Sequence, residues 1–548
     1  PIMKGFHPFA TWDETYVHTM HNPKDRIVLQ ERAEGSGREP WTWVRTHGKG
    51  RVFYTAYGHD VRTWQQPGFQ DLVERGIRWA SGIGPVFDSR PSTPGGGKPF
   101  TFQPAQVPMY VPKAAWGTNA DPVKRMQNPL EPAESMKHVA VPRGFHLELF
   151  TAEPEVAKPI ALAWDHRGRL WVAETFDYPN ERKPAGEGRD RIKICEDTDG
   201  DGRADKFTIF AEKLSIPTSI AFANGGVVVH QLPDTLFFKD TDGDDKADER
   251  RVLLHGWGTG DTHAGPSNLR YGLDNQLYGM VGYSSFNGVV GGKPVAFQQG
   301  FYRFKPDGST LEYLRATNNN SWGVGFSEEG ILFGSTANGV PSVYMPIANK
   351  YYEDVRGWSP TVLQSIAESF QMYPITEKVR QVDHFGGFTA AAGHALYTAR
   401  SYPSYYWNST AFVTEPTGHL ASTFTLERVG ADFKAWYGWN IAAGNDEWFA
   451  PIAAEVGPDG QVWIIDWYNF IVQHNPTPRG FKTGRGNAYE TPLRDKRHGR
   501  IYRVVYDGAK PSQPIKLDPS DATRLVETLK NDNMFWRLTA QRLLVERG

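Results

Sequence analysis

Two nine-residue stretches carry the most specific chemical spacing in the chain. Asp197-Thr-Asp-Gly-Asp-Gly-Arg-Ala-Asp205 places carboxylates at positions 1, 3, 5 and 9, and Asp240-Thr-Asp-Gly-Asp-Asp-Lys-Ala-Asp248 repeats that spacing. Carboxylates alternating around a glycine let a loop wrap one hard cation in oxygen ligands, as the first part of an EF-hand loop does. The glutamate of position 12 is missing from both, where Thr208 and Arg251 stand. Asp197, Asp199, Asp201, Asp205, Asp240, Asp242, Asp244 and Asp248 are therefore expected to ligate structural calcium in turns between strands. The alternative is a pair of acidic turns without an ion.

A second signal is Gly258-Thr-Gly-Asp-Thr-His-Ala-Gly-Pro-Ser-Asn-Leu-Arg270. A histidine beside an aspartate could remove the proton of a substrate hydroxyl, with Asp261 or another carboxylate orienting His263. The plainer alternative is that His263 caps a turn. A third cluster joins Gly444-Asn-Asp-Glu-Trp-Phe-Ala-Pro451 to Asp466-Trp-Tyr-Asn469 and Gln473-His-Asn475. Trp448, Phe449, Trp467 and Tyr468 suit stacking on a sugar ring or a planar cofactor. Asp446, Glu447 and Asp466 supply carboxylates, and His394 and Glu415 could serve a pocket or a core equally well.

These residues need a scaffold, and the chain repeats one. From about 145 to 508 an apolar strand, a turn with Asp or Gly and a second apolar strand recur, starting near 160, 218, 268, 322, 389 and 453. A unit of roughly 50–65 residues fits a four-stranded blade with its loops, and six units make a β-propeller whose loops converge on a central pocket. Before it, residues 1–84 contain the strand Arg51–Tyr57 and a helix-spaced run from Phe69 to Ser81, a partial α/β segment. Residues 85–140 hold Pro85, Pro91, Pro94, Pro99, Pro104, Pro108, Pro112 and Gly95-Gly-Gly97, and are expected to form an extended linker. Residues 515–548 change to helical spacing, marking a short α-helical hairpin or the first of several helical repeats.

Composition sets the class. The 548 residues carry 60 Lys+Arg against 62 Asp+Glu, a formal charge of −2 that gives no electrostatic footprint for nucleic acid or an anionic membrane surface. The 56 Gly, 39 Pro, 18 Trp, 23 Tyr and 31 Phe indicate a mainly β chain rich in loops. The single cysteine, Cys195, leaves no internal disulfide, no thiolate zinc site and no C-x-x-C-H haem attachment. No apolar run is long enough to span a bilayer. Walker A, H-E-x-x-H, G-x-S-x-G and Rossmann fingerprints are absent, which argues against those enzyme classes.

Residues Glu39–Asp60, Trp64 and Phe69–Ala80 resemble the C-terminal part of a ThuA-like (trehalose-utilisation) domain, a family with a class I glutamine-amidotransferase-like α/β fold. His18, His21 and His59 would belong to its pocket. Residues 136–508 resemble the membrane-bound dehydrogenase domain abundant in planctomycetes and verrucomicrobia. The stretches that carry this are Leu170-Trp-Val-Ala-Glu-Thr-Phe-Asp-Tyr-Pro179, both acidic loops, Asp261-Thr-His263, Asp446-Glu-Trp-Phe449, Ile465-Asp-Trp-Tyr468 and Gly499-Arg-Ile-Tyr-Arg503. That family is similar to the quinoprotein glucose and sorbosone dehydrogenases, six-bladed propellers whose relatives bind pyrroloquinoline quinone and calcium. The resemblance implies His263 as the base before the third-blade strand. It offers Arg270, Lys496 and Arg497, with Trp448 and Tyr468, as candidates to hold the quinone. It also implies that the terminal helices begin a HEAT-like region, with any haem c domain outside these residues. One departure stands out: Ala450 occupies a position where the family pattern often has arginine.

The expected function is a periplasmic or secreted oxidoreductase of the PQQ-dependent type. His263 would take a hydroxyl proton from a sugar or polyol, with Asp261 and Asp466 as catalytic partners, and electrons would pass to a cytochrome c domain or protein. Two alternatives remain open: a carbohydrate hydrolase or lyase using the pocket carboxylates with His263, and a non-catalytic glycan-binding or scaffold propeller.

Overall fold

The computed structural model describes residues 2–3, 6–20, 22–82, 97–510 and 515–548. His21, Pro85, Pro91, Pro94 and Gly95-Gly96 lie outside the described residues. The chain divides into two compact units, Pro1–Thr93 and Pro94–Gly548.

In the first unit the strand Gly50–Thr55 and the helix Pro67–Ser81 match the expected strand and helix. Two further strands, Arg26–Glu34 and Gly37–His47, complete a three-stranded antiparallel sheet. The helix starts with Pro67 at its first turn and ends on Gly82 in the left-handed region, the usual proline-in, glycine-out pairing. Phe69 and Leu72 on its inner face are buried.

The second unit is a six-bladed β-propeller, mainly β as the turn-rich composition requires. Blade 1 runs outward from Pro159–Trp164 through Leu170–Glu174 and Asp190–Glu196 to Lys206–Leu214. Blades 2 to 5 follow with innermost strands Pro217–Ala223, Pro266–Tyr271, Ser321–Phe326 and Ala392–Leu396. In blade 4 three strands pair, Ser321–Phe326, Leu332–Thr336 and Val340–Met345. The sixth blade orders Pro451–Val456, Val462–Asp466 and Arg500–Tyr506, and its outer strand is Phe145–Ala152 from the start of the domain. That pairing of the first strand with the last closes the ring, with Phe145–Ala152 as the outer edge of the blade.

The inner strands surround a channel lined by residues such as Ile160, Ser219, Leu269, Trp322 and Ala453. At one mouth the ends of these strands meet the helix Met534–Glu546, which packs there with Ala522–Thr528. Its docking is polar as well as apolar. Met534 N donates to Thr398 O (2.9 Å), Asn533 Nδ2 to Gly457 O (2.8 Å) and Trp536 Nε1 to Pro458 O (2.9 Å). Both helices are N-capped, by Asp521 and Asn533.

Residues 97–140, expected to be an extended linker, are instead a folded element. Phe102–Tyr110 and Asn119–Gln127 pair as an antiparallel hairpin, followed by a helical turn at Pro132–Ser135. Pro104, Pro108 and Pro122 sit in a two-stranded ribbon, where a lost ladder donor costs least. Val107 and Met126 are buried against Trp448, Tyr468, Phe470 and Tyr489. Among the described residues no helix is long and apolar enough to cross a membrane.

Candidate functional site

At the other mouth, the loops that precede the inner strands surround a cavity of about 640 Å³. Its wall includes the aromatic side chains Trp116, Tyr178, Tyr283, Trp322 and Trp467 and the neutral amides Asn320, Asn338, Gln473, Asn475 and Asn487. Asp261, His263 and His474 stand together in that wall. Aromatic faces with uncharged hydrogen-bonding groups suit a hydroxyl-rich ring or chain without net charge.

The loop carrying Asp261 and His263 is pinned from three sides. Thr262 donates from Oγ1 to Pro179 O (2.9 Å) and from its backbone N to Gly486 O (3.2 Å), tying it to loops of blades 1 and 6. Ser284 Oγ donates to Asp261 O (2.8 Å). Within the loop Asp261 Oδ1 accepts His263 N (3.1 Å) and contacts His263 Nδ1, while its Oδ2 accepts Asn487 Nδ2 (3.0 Å). Burial pushes the Asp261 carboxyl upward, but these contacts, the His263 ring first among them, outweigh it and hold the group below its usual range.

His474 comes from the long excursion between Val462–Asp466 and Arg500–Tyr506. Its Nδ1 lies 2.6 Å from His263 Nδ1, and its ring stacks on Tyr178 with centroids 4.9 Å apart. Burial, with His263 and Arg494 nearby, pushes His474 well below the ordinary histidine range, so it is neutral at pH 7. In sequence His474 stands out only as part of a cluster, without a role. Trp116 and Tyr178 had no signal of their own, because a hairpin tip and a blade 1 loop reach this cavity only once the ring has closed.

The other predicted residues lie elsewhere. Asp466 is fully buried, with Oδ1 accepting Ala450 N (2.8 Å) and Tyr468 N (2.9 Å), and it does not line the cavity. Its expected catalytic place is corrected to an interior one at the end of a strand. Trp448 and Tyr468, expected to stack on a cofactor, are buried under the 102–127 hairpin. Trp448 Nε1 donates to Gln127 O (2.7 Å), and Tyr468 OH accepts Leu130 N (2.7 Å). Trp467, between them in the series, is the one that faces the cavity. Arg270 lies at the opposite mouth, paired with Glu455 and donating to Val324 O. Four residues into a strand at about 3.3 Å each carry it down the channel away from His263. Lys496 bonds Phe176 O (2.8 Å) and Tyr178 O, supporting the loop that carries Tyr178, and Arg497 is exposed. His394 donates or accepts at Ser342 Oγ (2.8 Å) in the core. Glu415 accepts Thr389 N and Ala390 N (2.8 Å each), which fixes the loop forming one cavity wall.

Burial pushes the Asp466 carboxyl up to about 7, against the opposing pull of Arg500, with Asp446, Lys158 and Tyr502 also within its field. A folded-state pKa above the unfolded value means the folded chain binds the extra proton. The contribution of Asp466 to stability therefore falls as pH rises from about 4 to about 7 and is level above that. Asp466→Asn is expected to flatten this decline, on the order of 4 kcal/mol at most. Urea midpoints at pH 4.5 and 8 check it, and an equal decline in both chains contradicts it.

In each acidic loop three carboxylates converge. Oxygens of Asp197, Asp199 and Asp205 lie within 4.8 Å of one another, as do those of Asp240, Asp242 and Asp248. Asp201 and Asp244 stand outside these groups and cap local backbone, at Arg203 N (2.8 Å) and Lys246 N (2.9 Å). Hard oxygen donors of this number fit the start of a calcium site. Each loop joins the third strand of a blade to its outermost strand, in blades 1 and 2. Asp245 of the second loop grips Arg169 of blade 1 at 2.7 and 2.9 Å.

The chain belongs to the family described as Domain of unknown function (DUF7133), whose model matches residues 131–508. Residues 1–80 match the Trehalose utilisation (ThuA) family model. No curated protein matches the sequence. Among solved structures, the chain is similar to an oxidoreductase (glucose dehydrogenase) from Thermus thermophilus. The identity is 14%, covering 66% of this chain and 100% of that one, with a TM-score of 0.41. It is likewise similar to the PQQ-bound aldose sugar dehydrogenase of Streptomyces coelicolor (14%, 67% and 100%, TM-score 0.38). The soluble aldose sugar dehydrogenase of Escherichia coli, in its apo form, is a third (12%, 66% and 99%, TM-score 0.39).

Pyrroloquinoline quinone carries three carboxylates, and a pocket that encloses them needs cationic partners. No Lys or Arg lines this cavity among the described residues, and its acidic side chains are Asp261 and Asp383. The lining does not fit the quinone.

Proposed function

We propose that this chain is an enzyme of the sugar-oxidoreductase kind that acts on an uncharged sugar or polyol. The observation that carries the reading is the Asp261–His263–His474 cluster in the wall of an aromatic, amide-lined cavity large enough for such a ring. Trp467 and Tyr178 offer faces for the ring, the amides offer partners for its hydroxyls, and the cluster receives the proton of the hydroxyl that reacts. The hydrogen on the reacting carbon leaves with its electron pair, as hydride, to a two-electron organic acceptor that enters the cavity beside the sugar, such as the assay dye, and the carbon becomes a carbonyl. The test is dye-coupled oxidation of a panel of aldoses and polyols by the purified chain, with and without added quinone. Dye reduction that depends on substrate and is indifferent to the quinone is expected. No reduction across the panel overturns the reading. Carbohydrate cleavage without dye reduction would replace it with a hydrolase or lyase.

The acidic loops fit the same picture as structural calcium sites that stiffen the outer turns of blades 1 and 2. Saturating calcium at about a hundred times its dissociation constant is expected to add roughly 2.7 kcal/mol per site. Melting with calcium and with a chelator reads this. Asp199→Asn together with Asp242→Asn is expected to abolish the difference, and a shift that survives in the double variant rules the loops out.

A further inference from the structure

We propose that Asp261, His263 and His474 form a binding site for one divalent first-row transition ion, with open coordination positions turned towards the cavity. Asp261 Oδ1, His263 Nδ1 and His474 Nδ1 all lie within 4.8 Å of one another, and the two ring nitrogens are 2.6 Å apart. A neutral His263 has one proton for Nδ1, which can serve the contact to Asp261 or the contact to His474 but not both fully. A cation at the centre satisfies all three lone pairs at once, each ring then keeping its proton on Nε2. Metal–nitrogen bonds of about 2.0–2.1 Å set neighbouring ligand nitrogens roughly 2.9 Å apart at an octahedral angle and roughly 3.3 Å at a tetrahedral one, so ring nitrogens 2.6 Å apart need to part by about 0.3 to 0.7 Å.

The donor set names the class of ion. Two imidazoles with one carboxylate suit zinc, iron, cobalt, nickel or copper, whereas calcium and magnesium take oxygen ligands. Neighbouring groups orient the three side chains, although His474 Nε2 is buried without a hydrogen-bond partner. Tyr178 stacks on the His474 ring, Asn487 holds Asp261 Oδ2, and Thr262 anchors the loop between the first two ligands. This centre differs in kind from the two acidic loops, which offer carboxylates alone. It goes beyond the sugar-acting reading and does not depend on it. Where both hold, the ion acidifies a coordinated substrate hydroxyl, and His263 then acts as a ligand in place of accepting the proton itself.

The experiment strips the full chain with a chelator, refills the acidic loops with calcium, and titrates cobalt(II) followed by calorimetry and visible absorption. One equivalent with the absorption of nitrogen-ligated cobalt, displaced by zinc, is expected. His263→Ala and Asp261→Asn are each expected to weaken it at least tenfold, while Asp199→Asn with Asp242→Asn leaves it unchanged. His263 and Asp261 are the decisive positions, since His474 is buried and its removal disturbs folding. No cobalt equivalent, or equal affinity in wild type and both ligand variants, overturns the proposal. Failure of metal binding with dye reduction intact removes this proposal alone. Metal binding without turnover of any sugar or polyol removes the functional reading alone.

Discussion

His263→Ala is expected to leave the propeller folded and to lower sugar or polyol turnover by about 10² to 10⁴-fold, the range that a positioned proton acceptor contributes. The His263 side chain is 28% exposed at the cavity wall, so its removal opens no interior void. Circular dichroism and the urea midpoint should stay close to wild type while the rate collapses. The partner variant His474→Ala behaves differently, because His474 is buried and stacked on Tyr178, and it should lose stability together with rate. Trp467→Ala, by contrast, removes an aromatic face and is expected to act mainly on KM. Turnover unchanged in His263→Ala would show that the reaction does not use this cluster. Ligand binding unchanged with no turnover in any form would favour the non-catalytic alternative.

The second large effect is expected far from the cavity wall. Asp446 is fully buried and accepts four donors: Gln127 Nε2 (2.6 Å), Ser135 Oγ (2.8 Å), Tyr468 OH (2.9 Å) and Trp448 N (3.0 Å). Two of them come from the 97–140 segment and two from blade 6, so one carboxylate fastens the hairpin to the propeller. Asp446→Ala leaves these donors without an acceptor and is expected to cost on the order of 4 kcal/mol. The hairpin tip carries Trp116 into the cavity, and Tyr110 OH donates to Pro476 O (2.9 Å) beside it. The variant should therefore also become sensitive to proteolysis near residues 111–118 and bind substrate more weakly. A urea midpoint and cleavage pattern equal to wild type would remove Asp446 from this role.

The contrast between these two residues shows what was legible beforehand. The six-fold strand repeat announced the propeller because each blade is local: an apolar strand, a tight turn and another apolar strand repeat within some sixty residues. Asp261 and His263 were legible for the same reason, two residues apart and just ahead of an inner strand. The hairpin was not, since prolines and glycines dominate its composition and its stabilising partners lie more than three hundred residues away. Arg270 and Asp466 were misplaced because sequence distance says nothing about which mouth of the channel a strand position faces. Trp448 and Tyr468 look like stacking residues in sequence, and the fold uses them as the floor on which the hairpin rests.

The sequence by itself determined the mainly β repeat, the spacing of the acidic loops and the pairing of Asp261 with His263, all set by hydrophobic period and near-neighbour chemistry. Only the tertiary structure decided that His474 meets His263, that Trp116 enters the cavity from a hairpin, and that no lysine or arginine among the described residues reaches the lining. Those outcomes depend on ring closure, which brings loops from blades 1, 3 and 6 to one point. The free energy of that closure lies in packing between blades, which no single stretch of sequence contains.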